Sequence, residues 1–190
     1  MPFSGHDKCG DESAVADLRQ KEDQLLAKLG KLKAEAKDQL SEETGISDEE
    51  ILNDLQELGY TRSTIENLLP LLPLVEVAWA EGNVTDKERE RVLELAARRG
   101  ISPDSPEYQQ LTEWLREKPS DEFFRRTMRI IRAFLDTLAP ARRSYHRTKV
   151  ISDCLSVAKA SGGLFGFGNK ISDVEMEMME KIIEDMHPRL

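Results

Sequence analysis

The sequence predicts an all-α protein. Apolar residues recur at three-to-four spacing in nearly every segment, and no stretch sustains the alternation of a half-buried strand. Gly, Pro and Ser/Thr-Asp runs punctuate the chain at helix-length intervals. With 190 residues the chain is long enough for one sizeable core.

The elements follow in order. Residues 1–13 are polar, contain Gly5 and Gly10, and read as a flexible tail. Residues 14–40 read as one long helix, in which Val15, Leu18, Leu25, Leu29, Leu32 and Ala36 form a stripe broken at Glu22. That stripe suits either a short coiled-coil dimerisation arm, giving a homodimer through residues 14–40, or a helix lying on its own domain. SEETG (41–45) breaks it. A second helix runs from Asp48 to Leu58, ended by Gly59, and a third from Thr61 to Leu69. Pro70 and Pro73 suit the start of a helix that continues to Ala80. Further helices are expected over about 86–99, 107–117, 120–138, 141–160 and 173–186. Phe124, Met128, Ile131, Leu135 and Leu138 give the 120–138 segment a clean apolar face. The domain plan is a tail (1–13), an N-terminal helical extension (14–67) and a helical domain (68–190).

Charge narrows the function. The formal net charge is −9, from 27 Lys+Arg against 36 Asp+Glu, which argues against a specific nucleic-acid binder. The longest apolar run, Leu68 to Ala80, is interrupted by Glu76 and is too short to span a bilayer. MPFSGHDKCG carries no apolar signal segment, and two cysteines 145 positions apart make no disulfide framework. A cytoplasmic, non-membrane protein is the expectation. Within this acidic chain, residues 121–150 hold 8 basic and 3 acidic side chains.

One element occurs three times: an aliphatic residue, a hydroxyl residue, Asp, any residue, Glu. The copies are Ile46-Ser47-Asp48-Glu49-Glu50, Val84-Thr85-Asp86-Lys87-Glu88 and Ile171-Ser172-Asp173-Val174-Glu175. The pattern is a capping box: the hydroxyl accepts from the N–H three residues on, and the Glu reaches back to the cap's own N–H. AEGNVTDKE (80–88) also resembles the second half of a calcium loop, but Val77 and Trp79 occupy the first-half ligand positions, so it is not an EF-hand. A cation site would need acids from separate helices: Glu76, Glu81, Glu88, Asp153 and Glu175.

LLPLVEVAWAEGNVTDKERERVLELA (71–96) and ISDCLSVAKASGGLFGFGNKISDVEMEMMEKI (151–182) resemble the two halves of a tellurite-resistance TerB-like domain over about residues 68–186. The resemblance implies a bundle of two related helical hairpins, a stress-associated role, and divalent-metal binding through acids near these motifs. Carried over, Glu81 stands where an Asp is usual, Gly82 matches the Gly, and Glu88 and Glu175 match the helix-opening Glu. Gly168-Asn169-Lys170 departs from the pattern, because one half loses a carboxylate and gains a lysine.

Other features have plainer readings. Arg125, Arg126, Arg129 and Arg132, then Arg142, Arg143, His146, Arg147 and Lys149, make a basic face for an anionic surface or protein partner, or one paired with the acidic N-terminal region. SGGLFGFGN (161–169) is not a P-loop, and Leu164, Phe165 and Phe167 suit either apolar anchors or a plug for the bundle. His6 and Cys9 lack a second ligand pair, and Cys154 falls on an apolar stripe. No nucleophile–base constellation is visible, so no catalytic residue is assigned. The sequence thus points to a non-enzymatic scaffold or sensor holding a divalent cation (calcium, magnesium, manganese or zinc). The alternative is a structural interaction module using the 125–149 face or the 14–40 helix.

Overall fold

The computed structural model describes residues 9–161 and 171–186, with side chains from Arg19 onward. Every regular element among these residues is helical. The chain divides into two compact units, Met1–Gln39 and Leu40–Leu190.

Helix α1 spans Cys9–Thr44 and overruns both expected ends. Residues 9–13, expected in a tail, open this helix, since a single Gly10 costs only about 1 kcal/mol. Along α1, Leu25, Leu26, Leu29 and Leu32 are all more than half exposed. The helix ends where Gly45 takes φ of 73° and donates to the Ser41 carbonyl at 2.9 Å. Buried Thr44 accepts from the Ile46 N–H at 3.2 Å, and Ser41 Oγ donates to the Ile46 carbonyl at 2.7 Å. SEETG therefore breaks the helix at its last residue, not its first.

Helix α2 is Glu49–Glu57 and α3 is Arg62–Asn67. The first motif copy caps one residue later than expected. Asp48, not Ser47, is the N-cap, accepting from the N–H groups of Glu50 and Ile51 at 3.0 and 3.1 Å. Both helices pack against α7, so the compact unit begins earlier than residue 68.

The proline-punctuated run splits into a 3-10 turn, Leu69–Leu71, and α4, Leu72–Ala78. Pro73 sits in the first turn of α4, where its missing N–H costs nothing. All seven residues of α4 are buried, Glu76 included. The remaining helices are α5 (Asp86–Arg98), α6 (Pro106–Arg116), α7 (Asp121–Thr137), α8 (Pro140–Ser161) and α9 (Asp173–Met186). Helix α4 touches α5, α6, α7, α8 and α9, while α5 packs on α8 and α8 on α9. It is the axis of the bundle because six of its seven residues are apolar and all seven are buried.

The α7 stripe is buried at Phe124, Met128, Ile131 and Leu135, with Leu138 partly buried. Arg143 from α8 donates to the carbonyls of Leu135, Asp136 and Leu138, satisfying the C-terminal groups that α7 leaves open. Trp79 Nε1 donates to the Trp114 carbonyl at 2.8 Å, and the Trp114 ring lies 5.6 Å from Phe123. Both tryptophans are thus packing residues.

Candidate functional site

The second and third motif copies form complete capping boxes. Thr85 Oγ accepts from the Glu88 N–H at 3.3 Å, and the Glu88 carboxylate accepts from the Thr85 N–H at 2.8 Å and from its hydroxyl at 2.7 Å. Ser172 and Glu175 repeat this at 3.2 and 2.8 Å. The boxes draw both glutamates inward, to 3% exposure for Glu88 and 1% for Glu175. Exposed Glu81 lies in the turn before α5, where Gly82 takes φ of 86°.

These three carboxylates share one electrostatic neighbourhood. Burial pushes the Glu88 carboxyl above its ordinary value, its bonds to Thr85 oppose that, and the charges of Glu175 and Glu81 raise it further. The sign for stability follows. The unfolded group titrates near 4.5 and the folded one higher. Its favourable contribution is therefore present below about 4.5 and is lost as pH rises through the folded value. Glu88→Gln retains a carbonyl oxygen for the cap and removes the like charge. We expect that variant to match or exceed the wild type in urea unfolding at pH 7 and to lose its advantage at pH 4. A variant markedly less stable at pH 7 would mean that the ionised carboxylate is needed for the cap.

Glu76 and Asp153 have different surroundings. Glu76, 5% exposed, accepts from Lys181 Nζ at 2.8 Å. Asp153, 7% exposed, accepts from Arg99 at 3.0 Å and lies 3.4 Å from Lys149 Nζ. The bond to Glu76 raises the Lys181 ammonium above its ordinary value, which holds its charge in place. The five candidate ligands thus separate: Glu76 and Asp153 are paired with Lys181 and Arg99, while the Glu88 carboxyl feels the charges of Glu175 and Glu81. Among the described residues, no group of three or more His, Cys, Asp or Glu side chains is arranged to hold a metal ion. A single ion coordinated by all five acids does not fit this geometry.

Lys181 and Arg99 were missed as partners from sequence because their pairs lie 105 and 54 positions apart. No local pattern encodes such pairs; the only hint was an acid inside the otherwise apolar α4, which needs a counter-charge when buried.

The basic face is largely paired. Arg126 donates to Asp54 at 2.8 Å and to Glu57 at 2.6 Å. Arg129 reaches Glu50 at 2.7 Å and Asp54 at 2.9 Å. The acidic α2 therefore covers two arginines of α7, and a cleft lined by both helices and Asp185 remains beside them. Arg132 donates to the Asp185 carbonyl at 3.2 Å. On α8, Arg143 and Arg147 lie within 4 Å of Asp136.

A second cavity, about 320 Å³, has Ile65, Phe134 and Leu138 in its wall and Arg142 and His146 among its polar lining. Burial and the nearby charges of Arg142 and Arg99 hold the His146 imidazole below its ordinary value. Cys154, 1% exposed, is a core residue as expected. The readings made for SGGLFGFGN, Lys170 and His6 fall on positions outside the described residues or at their edge.

No family model matches the chain, and neither the curated proteins nor the solved structures contain a match. Among the described residues no helix is long and apolar enough to cross a membrane.

Proposed function

We propose that this protein is a non-enzymatic, TerB-like scaffold or sensor in which a divalent cation adds to the Glu88–Glu175 pair. One observation carries the reading: two copies of one motif bury their helix-opening glutamates within each other's field. Two like charges held out of water are costly, and a cation between them would remove both the repulsion and part of the desolvation cost. Exposed Glu81 would add to the site through its charge, with water completing the shell of a hard ion. Glu76 and Asp153 leave the ligand set, since Lys181 and Arg99 already supply their counter-charge. Binding at α5 and α9, which both pack on α4 and α8, would tighten the bundle at one end.

The test is an amide-resolved NMR titration of chelator-treated protein with calcium, magnesium, manganese and zinc. Shifts or broadening are expected around residues 81–88 and 172–179, and their loss in the Glu88→Gln/Glu175→Gln double variant. The absence of any localised change at about millimolar metal, the weak end of protein calcium sites, would leave these acids as helix caps alone.

The interaction-module reading has one specific observation in its favour, the exposed leucines of α1.

A further inference from the structure

Helix α1 presents an uncovered apolar stripe with a regular heptad. Leu25 and Leu32 fall at d and Leu29 at a, at 62%, 54% and 54% exposure. Ala36 continues the stripe at a, while Glu22 and Gln39 are its polar positions. Single exposed leucines are ordinary, but three in one seam over two helical turns suit a contact with an apolar partner. Charges flank the seam unevenly. The g positions are Lys21, Lys28, Glu35 and Glu42, basic in the first half and acidic in the second.

We propose that α1 pairs with α1 of a second copy in an antiparallel coiled coil, with Leu29 of each chain opposite Leu32 of the other. The charge order selects this arrangement. In an antiparallel pair g faces g. This register sets Lys28 against the second copy's Glu35 and Lys21 against its Glu42, and the two-fold axis repeats both pairs. In the seam, Leu25 meets Ala36, and Glu22 meets Gln39, so the acid gains an amide partner in place of a buried void.

The alternatives are each opposed by like charges. Sliding the antiparallel register by one heptad places Lys28 on its own copy, or Glu35 on its own copy, according to direction. A parallel pair would bury Glu22 against Glu22 and set Lys28 beside Lys33 at both flanks. Within one chain Glu35 lies 3.8 Å from Lys31, an exposed contact of small worth that need not compete. The inference stands on α1 alone and is independent of the cation reading.

Sedimentation equilibrium of the full chain tests it, at low and high salt. The wild type is expected to be a dimer that weakens with salt, because its flanking pairs are exposed. Lys28→Glu turns two attractions into repulsions and should raise the dimer dissociation constant about tenfold at low salt. The double variant Lys28→Glu/Glu35→Lys swaps the signs and should restore the wild-type constant. Leu29→Gln should leave a monomer whose thermal unfolding of the bundle is unaltered. A wild type that stays monomeric to about 1 mM overturns the proposal, as does a dimer that survives Leu29→Gln. Lys28→Glu that tightens the dimer overturns the antiparallel orientation, since only a parallel pair gains from losing the Lys28–Lys33 repulsion.

Discussion

Asp153→Ala is expected to lower the unfolding free energy by about 3 to 5 kcal/mol, the range for removing one partner of a buried ion pair. Arg99 and Asp153 meet at 3.0 Å with side chains only 12% and 9% exposed. Removing the carboxylate leaves a guanidinium out of water. Its Nε already has no hydrogen-bond partner among the described residues, so the loss is not shared with another acceptor there. Lys149, 40% exposed, can turn to solvent and contributes little to the loss. Urea unfolding of the metal-free protein measures this directly, as a fall in the midpoint at unchanged slope. The same variant separates two roles for the residue. A structural counter-ion, once lost, weakens the metal-free fold. A metal ligand, once lost, would leave that fold intact or strengthen it and abolish only cation binding.

Leu74→Ala is expected to cost about 2 to 5 kcal/mol, the span for deleting a leucine side chain from a packed core. Leu74 is fully buried in α4, the helix in contact with α5 to α9. A void there has neighbours on every side, and none of those helices can close it without giving up other contacts. The cost should fall in the upper half of that range. For comparison, Leu29→Ala in α1 removes a side chain 54% exposed and should change bundle stability by less than about 0.5 kcal/mol. Thermal and urea unfolding of the two variants side by side gives the contrast. Equal losses would mean that Leu29 supports the stability of the bundle.

Local rules made the helices legible and left the pairings hidden. Gly45 and Gly59 take positive φ just past the ends of α1 and α2, so these two glycines marked the boundaries through backbone sterics. Pro73 and the capping boxes at Thr85 and Ser172 fixed helix starts in the same way. The first copy misled by one residue: Asp48, an equally good cap, takes the helix start in place of Ser47. The start of α1 was read late because Gly10 lowers helix propensity without forbidding a helix. Burial of Glu88 and Glu175 was foreshadowed by their motif. The pairing of two α7 arginines with Asp54 follows the expected match of the basic face to the acidic N-terminal region, but the ties of Glu76 to Lys181 and of Asp153 to Arg99 were hidden, since each joins helices far apart in the chain and depends on how those helices pack.

Cys154 carries a practical consequence. Its thiol is shut inside the bundle on α8, and burial together with the charges of Asp153 and Glu76 pushes its ionisation well above the usual thiol value. Only the thiolate reacts quickly with alkylating reagents. In the closed protein this sulfur is therefore protected twice, by lack of access and by lack of ionisation. Each labelling event must wait for α8 to part from its neighbours. In a Cys9→Ser background the labelling rate becomes a native clock for that opening. It would register, without any added probe, whether a cation at α5 and α9 or a partner on α1 slows the breathing of the bundle.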